Sequence, residues 1–147
     1  MSKTFHCELV TPAEKLFDEP VAHAVVPAWD GLFGVLPGRA PLLARLGLGE
    51  LTVRHADGDA AGGTRSYFID GGFVKMAGEK LTILAERAVP AERINEADAK
   101  AELAEAEART VPADAADRGA ETDRINHERR AARTKLTIAQ QAKARGI

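Results

Sequence analysis

The 147-residue sequence contains few of the residues on which most catalytic and binding chemistry depends. It has one cysteine, Cys7, so an intramolecular disulfide is excluded and the fold does not depend on an oxidising compartment. Serine occurs only at Ser2 and Ser66, which gives no support to a serine nucleophile. One tryptophan and one tyrosine leave few aromatic platforms for binding sugars. An enzyme that acts alone is therefore not predicted.

Charge and hydrophobic runs exclude further classes of protein. The net charge is −2, without the basic excess that phosphate binding needs, so we expect no nucleic-acid partner. No stretch reaches the ~18 apolar residues of a membrane span, and the first residues lack a secretion signal. A cytosolic or peripheral membrane location follows as an expectation. The four histidines lack the spacing of metal ligands, so we predict no metal site and no cofactor.

Two compositions meet near residue 90. Every glycine except Gly119 and Gly146 precedes Pro90, together with most β-branched residues and all of the phenylalanine, tyrosine and tryptophan. Alanine, glutamate and arginine dominate the rest of the chain. The composition predicts a fold that is mainly β plus α, with a β-sandwich or barrel followed by helices.

Short apolar runs separated by turn residues predict the strands of the first part. Leu51, Val53 and His55 alternate with polar residues, so we expect them to face inward, and Leu81, Ile83 and Ala85 repeat the pattern. Asp70-Gly71-Gly72 predicts a tight turn between two strands, and 57–63 predicts a longer exposed connection. The predicted strands are 5–10, 14–17, 21–26, 35–36, 42–46, 51–55, 65–69, 73–76 and 81–85.

Two helices are predicted after Pro90. The first covers 91–109 and ends before Pro112; the second is capped by Asp114 and runs to about Ala144. Their apolar stripes are thin, so the pair is expected to detach easily. The first helix has six acidic and three basic residues, whereas 124–147 has seven basic residues and one acidic residue. The charges predict mutual pairing or, as the sharper alternative, an acidic partner for the second helix. The expected stripes are Ile94, Ala97, Ala101, Ala104 and Ala108 in the first helix and Ile125, Ala132, Leu136, Ala139 and Ala142 in the second.

The segment Gly31–Leu43 interleaves three glycines and two prolines with six large apolar residues. Glycine and proline exclude a helix or a central strand, yet the apolar residues are too many for a freely solvated loop. A packed, bent segment is predicted, with Pro37-Gly38-Arg39 as an outward turn. From composition alone, a plain sandwich corner and a binding surface are equally good interpretations.

The sequence of this segment resembles a known family. The run Val25-Val-Pro-Ala-Trp-Asp-Gly-Leu-Phe-Gly-Val-Leu-Pro-Gly-Arg-Ala-Pro-Leu-Leu43 is similar to the signature of the epsilon subunit of bacterial F-type ATP synthases. Glu8-Leu-Val-Thr-Pro12 and Tyr67-Phe-Ile-Asp-Gly-Gly-Phe-Val74 agree with it. The resemblance implies an N-terminal antiparallel β-sandwich at about residues 1–88 and a C-terminal two-helix hairpin at 89–147.

The family's role gives an expected function. The resemblance implies a non-catalytic central-stalk subunit of a proton-translocating ATP synthase, which couples rotation of the c-subunit ring to the catalytic head through the gamma subunit. Its C-terminal helices are expected to inhibit ATP hydrolysis by reaching the alpha and beta catalytic subunits transiently. Such a chain would sit peripherally on the cytoplasmic face of the cell inner membrane, through the complex alone.

The resemblance also implies site residues. The c-ring contact is expected at Asp30, Gly31, Gly38 and Arg39, although most relatives have histidine in place of Arg39, so the contact is altered here. Contact with an acidic loop of the beta subunit, in an extended form of the helices, is expected at Arg124, Arg129, Arg130, Arg133 and Lys135.

Some family members bind ATP through the pattern Ile/Leu-Asp-x-x-Arg-Ala. This chain has Ile94, Asn95, Asp98 and Ala99 at the four defined positions, so the acid and the arginine are both replaced. An aspartate would repel a phosphate, and weak or absent ATP binding is expected. A free-standing β-sandwich protein-binding module with a helical tail is the alternative function, and it predicts a monomer that does not purify with gamma or the c ring.

Overall fold

The computed structural model describes residues 3–56 and 63–144. Most of the predicted connection at 57–63 lies outside the described residues. The chain divides into two compact units, Met1–Ala91 and Glu92–Ile147. The elements are β1 Phe5–Val10, β2 Lys15–Val21, β3 His23–Ala28, β4 Gly31–Val35, β5 Leu42–Arg45, β6 Leu48–Arg54, β7 Thr64–Ala77, β8 Lys80–Pro90, a 3₁₀ turn Ala91–Arg93, α1 Glu96–Ala108 and α2 Arg118–Ala144.

The first unit is the predicted β-sandwich, built around two long strands. The strand order is β2-β1-β8-β7-β6-β3-β4, and β5 also pairs with β7. β7 pairs with β6 along its first half and with β5 along its second half, so β7 and β8 contribute to both layers. All these pairs are antiparallel except β1 with β8, which is parallel. The predicted antiparallel architecture therefore has one exception, where the first strand lies beside the last.

The glycine pair in β7 corrects one prediction. Gly71 and Gly72 lie inside a continuous strand rather than in a turn between two strands. Both have positive φ, at 80° and 117°. A Cβ on Gly72 would lie 2.0 Å from the carbonyl oxygen of Leu84, so β8 passes too closely for any side chain. The glycines therefore permit the bend that carries β7 from one layer to the other.

The core lies between the two layers and follows the predicted alternation. Leu51, Val53 and His55 of β6 are buried, as are Leu81, Ile83 and Ala85 of β8, so both predictions are confirmed. In the segment Gly31–Leu43 the predicted exclusion of a helix and of a central strand is confirmed, and only the bounds of the strand predicted at 35–36 are wrong. The first five residues of the segment form β4, which is an edge strand and thus tolerates glycine at two positions.

The second unit is a pair of helices whose starting points differ from prediction. Residues 91–93 form a separate 3₁₀ turn, and α1 begins after Asn95, whose side-chain oxygen accepts a hydrogen bond from the N–H of Asp98. α2 is capped by Asp117 rather than Asp114, because the Asp117 carboxylate accepts from the N–H of Ala120 at 3.0 Å. The 27 residues of α2 span about 40 Å.

The predicted stripe of α1 is wrong. Ala97, Ala101, Ala104 and Ala108 are all exposed, and the buried positions are Ala99 and Ala106, with Leu103 half-buried between them. Alanine occupies both faces of this helix, so the sequence offers no contrast from which to choose a face. The stripe of α2 is mostly confirmed, since Ile125, Ala132, Ala139 and Ala142 are buried and Leu136 is half-buried.

Candidate interaction surfaces

The β3–β4 hairpin exposes apolar side chains next to the predicted c-ring residues. Asp30 lies in the turn, and Gly31 begins β4 with a φ of 133°. The exposed fractions of Trp29 and Leu32 are 68% and 67%, and Leu36 at the end of the hairpin is also exposed. Isolated exposed leucines are common, but three large apolar residues on one short hairpin form a surface suited to another protein. We call Trp29, Leu32 and Leu36 the hairpin surface.

The Arg39 side chain lies against the preceding strand, β4, rather than extending outward. The turn around Gly38, whose φ is 85°, closes with a hydrogen bond from the N–H of Arg39 to the carbonyl oxygen of Leu36 at 3.2 Å. The guanidinium donates to the carbonyl oxygen of Gly34 at 3.0 Å and lies 5.4 Å from the centre of the Phe33 ring. The four expected c-ring residues are all exposed: Asp30, Gly31, Gly38 and Arg39. Of these, Arg39 is held against β4 by the hydrogen bond and the ring contact.

A shallow cavity of about 330 Å³ lies beside this arginine. Its lining includes His23 of β3, Gly34 of β4 and the turn Leu36–Arg39. The cavity is open and mostly apolar, and the two basic side chains are its only ionisable lining groups among the described residues. It extends the hairpin surface rather than forming a separate enclosed site.

A second apolar surface lies on the outer face of the layer that contains β5. Phe73 of β7 lies directly opposite Leu84 of β8, and Leu84 lies opposite Val10 of β1. Leu43 of β5 has an exposed fraction of 73%, and both Phe73 and Leu84 are more than half exposed. We call Leu43, Phe73 and Leu84 the outer-face surface. Sequence reasoning missed it, although the inward alternation of Ile83 and Ala85 already places Leu84 outward.

A groove of about 350 Å³ borders the outer-face surface. It runs from Val10 and Pro12 to Gly72, Phe73 and Leu84. Its lining is apolar apart from Thr11 and Glu86. The groove extends the apolar area around Phe73 and Leu84, whereas the nearest cross-strand neighbour of Leu43 is the exposed Lys75.

Four of the five predicted contact cations of α2 already have partners inside the helical pair. Arg124 binds Glu121 and Glu128 of its own helix at 2.5 and 3.4 Å. Arg133 lies 3.6 Å from Glu107, and Lys135 lies 3.4 Å from Glu102. Arg129 donates to backbone carbonyls of α1. Arg130 is exposed and makes no hydrogen bond or ion pair with any described residue.

The cross-helix ion pairs define an antiparallel arrangement. Lys143 near the end of α2 lies 3.8 Å from Glu96 at the start of α1, whereas Arg109 at the end of α1 binds Glu128 in the first half of α2. Exposed pairs of this kind each contribute little, about 0–1 kcal/mol. Their number and regular order nevertheless fix the register of a hairpin with a small apolar interface.

The residues expected to form a degenerate ATP motif lie at the start of α1, where one of them caps the helix. Asn95 caps α1 through the hydrogen bond to the N–H of Asp98, at 3.1 Å. Ala99 is buried, Ile94 is half-buried, and the Asp98 side chain is exposed. The four residues are together at the start of α1, but the only charge among them is negative, which does not favour a triphosphate.

One cluster of metal-ligand types was not predicted from spacing. The side chains of His6, Glu8 and Asp18 on β1 and β2 place one ligand atom each within 4.8 Å of one another. Lys15 lies 3.0 Å from Asp18, and Lys80 lies 3.4 Å from Glu8. Lys15 and then His6 hold the pKa of Asp18 below its usual range. The carboxylates thus have cationic partners already, and the cluster is an ion-pair network.

No helix among the described residues is long and apolar enough to span a bilayer. Within residues 3–56 and 63–144, the exposed features that stand out are the two apolar surfaces of the sandwich and the cations of α2. These are features of a chain that binds other proteins.

Comparison with known proteins identifies which class of chain this is. Residues 4–91 match the sandwich family described as "ATP synthase, Delta/Epsilon chain, beta-sandwich domain". The ATP synthase epsilon chain of Nitratidesulfovibrio vulgaris strain DP4 is 39% identical over 95 residues, which cover 65% of this chain and 67% of that one. The epsilon chain of Myxococcus xanthus strain DK1622 is 35% identical over 126 residues, covering 86% of this chain and 89% of that one.

A solved structure extends the similarity over nearly the whole chain. A chain in the Euglena gracilis mitochondrial ATP synthase, in a structure of OSCP, F1 and c-ring, aligns with a TM-score of 0.65 and 26% identity. The alignment covers 98% of this chain and 82% of that chain. This chain belongs to the ATP synthase delta/epsilon chain family, and the resemblance to the bacterial epsilon subunit is confirmed. Its family is that of a stalk subunit rather than a catalytic one.

Proposed function

We propose that the chain is the epsilon subunit of a proton-translocating ATP synthase, in which it couples rotation of the c ring to the catalytic head through the gamma subunit. The observation that supports this role is the pair of exposed apolar surfaces on one sandwich. A body that transmits torque must hold two partners at once, and it needs two separate contact areas to do so.

The hairpin surface is the proposed c-ring contact. Trp29 and Leu32 flank the exposed turn residues Asp30 and Gly31, and Leu36 lies just beyond the end of β4, so apolar side chains are presented beside the expected contact residues. Arg39 shapes this surface through its contacts with Gly34 and Phe33. The subunit then sits at the cytoplasmic face of the inner membrane through its partner and not through a segment of its own.

The outer-face surface is the proposed gamma contact. Leu43, Phe73 and Leu84 lie on regular strands, which hold their side chains in fixed positions. Burying two or three such side chains in an interface would contribute several kcal/mol, at about 25 cal/mol per Å² of apolar area. The core beneath them gives the stiffness that a torque-bearing contact needs.

Co-purification tests both contacts. Leu84→Glu should remove gamma from the purified subunit, and Leu32→Glu should remove the c ring while gamma remains. Arg54→Glu, which changes an exposed side chain on β6 outside both surfaces, should keep both partners. If the unchanged chain purifies from its native membranes as a monomer, the alternative of a free-standing binding module replaces this proposal.

The helical pair is the proposed inhibitor of ATP hydrolysis. In the proposed inhibitory form, α2 leaves α1 and presents Arg124, Arg129, Arg130, Arg133 and Lys135 to an acidic surface of the catalytic beta subunits. The weak apolar interface between the helices and their reliance on exposed ion pairs support an opening of low free-energy cost.

A quadruple substitution tests the inhibitory role. Changing Arg124, Arg129, Arg130 and Arg133 together to alanine should raise ATP hydrolysis by the membrane-bound complex. The matched control changes the same four residues to lysine, which keeps the charge and should keep the inhibition. Equal hydrolysis by the unchanged and quadruple-alanine complexes would remove the inhibitory role while leaving the rotor role intact.

A further inference from the structure

The end of α1 has backbone carbonyls that the helix itself leaves without partners. α1 ends at Ala108, and Arg109 has extended backbone angles, with φ −71° and ψ 139°. No glycine follows to form the left-handed cap that commonly satisfies the last carbonyls of a helix. Within α1 and its cap, the N–H of Arg109 reaches only the carbonyl oxygen of Ala106, at 3.3 Å.

Arg129 of α2 donates to three carbonyl oxygens at this end of α1, of which only that of Ala106 also accepts from the N–H of Arg109. Its Nε donates to the carbonyl oxygen of Ala106 at 3.0 Å. Its Nη2 donates to the carbonyl oxygens of Glu107 at 3.3 Å and Arg109 at 2.8 Å. A cation at this position also complements the negative end of the helix dipole. One half-buried guanidinium therefore caps α1 from the neighbouring helix.

The residue before Arg129 forms a reciprocal contact. Glu128 binds the guanidinium of Arg109, which itself lies 3.5 Å from Glu105. Residues 128 and 129 of α2 thus hold both the last backbone carbonyls of α1 and the side chain of its C-cap residue, Arg109. Both contacts lie next to the 109–117 connection, where the two helices meet.

Arg130, the residue after Arg129, makes no such contacts with α1. Arg130 is exposed and has no hydrogen bond or ion pair to any described residue. Successive residues of a helix point about 100° apart, so Arg130 is directed away from the carbonyls that Arg129 contacts. Two neighbouring arginines of the same basic helix therefore differ in whether they are available to a partner.

We propose that Arg129 is a positioning residue that locks α2 onto α1, and that Arg130 is the cation that first meets the acidic surface of a catalytic subunit. This division rests on the proposed inhibitory function of α2. An acidic partner can take the Nε and Nη2 donors of Arg129 only after their three hydrogen bonds to the backbone of α1 and its cap are broken. Arg130 can be bound while the helical pair is still closed.

Hydrogen exchange on the isolated full chain tests the lock without reference to inhibition. In Arg129→Ala, the amides of the last turn of α1 should exchange at least tenfold faster than in the unchanged chain, as expected from losing hydrogen bonds to a charged group. Arg130→Ala, the adjacent control, should leave these rates unchanged. Equal rates in both variants would overturn the lock.

A conservative variant keeps this test decisive if Arg129→Ala disturbs folding of the helices. Arg129→Lys keeps the charge but loses the planar fork that reaches three carbonyls, so it should exchange faster than the unchanged chain and slower than Arg129→Ala. Protection of the β7 amides in all variants verifies that the sandwich stays folded. Rates for Arg129→Lys equal to those of the unchanged chain would assign the effect to charge alone and contradict the capping role.

Hydrolysis by the assembled complex tests the second half of the proposal. Arg130→Ala should raise ATP hydrolysis, because the variant loses the cation that first meets the acidic surface of the catalytic subunit. Arg129→Lys, which keeps a cation for the partner but weakens the cap, should lower it, because α2 is released more easily. A rise of the same size in both variants would overturn the division between them. If the quadruple-alanine complex shows no change in hydrolysis, the inhibitory function fails, and the exchange rates still decide the lock.

Discussion

The guanidinium of Arg39 lies over the ring of Phe33, 5.4 Å from its centre, while it donates a hydrogen bond to the carbonyl oxygen of Gly34. The residue that follows the Pro37-Gly38 turn is thereby fastened back onto β4. This contact sets the shape of the exposed hairpin surface next to it. Arg39 thus has a structural role in this chain.

Replacing this arginine should loosen the hairpin. Arg39→Ala removes the cation–π contact and the hydrogen bond, and we expect the free energy of unfolding to fall by about 1 kcal/mol. Urea unfolding measures this as a lower midpoint with an unchanged slope. Arg39→Lys is the control, because it keeps the charge without the planar stacking group and should recover only part of the loss. Identical midpoints for all three chains would show that the contact contributes no stability.

Alanine at Gly72 should be far more damaging than alanine at Gly78. A Cβ on Gly72 would meet the Leu84 carbonyl oxygen at 2.0 Å, and the backbone is also at positive φ. We expect Gly72→Ala to lower the free energy of unfolding by roughly 3 kcal/mol or more. Gly78 also has positive φ but no atom within 4 Å of its Cβ position, so Gly78→Ala should cost only about 1–2 kcal/mol. Similar losses in urea unfolding would mean that β8 moves aside.

The predictable parts of the fold are the strands in which every second residue is apolar and faces the core. Leu51 and Val53 in β6, and Leu81 and Ile83 in β8, alternate with polar residues, and all four are buried. The strand break at Gly71-Gly72 was wrongly predicted because positive φ serves a turn and a bent strand equally well. Only the close approach of Leu84, on the neighbouring strand β8, distinguishes the two.

The helical unit was less predictable for a related reason. The sequence indicates that α2 is basic, but it does not show which cations are already bound. Arg129 reaches carbonyls 20 or more residues earlier, and that contact depends on the register of the two helices. The face of α1 was misjudged because its alanines give no amphipathic contrast. Composition thus predicted the helices, whereas their contacts needed the structure.

The buried cysteine should make stability fall at high pH. Burial, followed by the nearby charges of Asp18 and Glu8, raises the pKa of Cys7 to about 12. In the unfolded chain the thiol ionises near its ordinary pKa of 9.0, so the folded state holds the proton more tightly. The stability that the protonated thiol contributes is therefore fully present below about pH 9. As pH rises toward 12, the free energy of unfolding decreases by about 1.4 kcal/mol per pH unit.

The difference between the unchanged chain and Cys7→Ala isolates this effect from other titrating groups. Urea unfolding at several pH values above 9 should show a steeper loss in the chain that keeps the thiol. Thiol labelling of the folded chain at pH 8 should also be at least about 100-fold slower than labelling in denaturant. Rapid labelling without denaturant would show that the β1 strand opens locally and that Cys7 is not protected.

The isolated chain should bind ATP weakly or not at all. The Asn95 side chain is engaged by the N–H of Asp98, and Asp98 places a negative charge where the ATP-binding pattern expected from the resemblance has arginine. A triphosphate would therefore meet repulsion instead of a charge-assisted hydrogen bond. Titration calorimetry with magnesium-ATP should detect no micromolar binding to the unchanged chain.

Asn95→Asp combined with Asp98→Arg restores the pattern, keeps a capping residue at the start of α1, and should gain measurable affinity. Micromolar binding by the unchanged chain would mean that cations elsewhere in the helical pair, rather than the motif arginine, hold the phosphates.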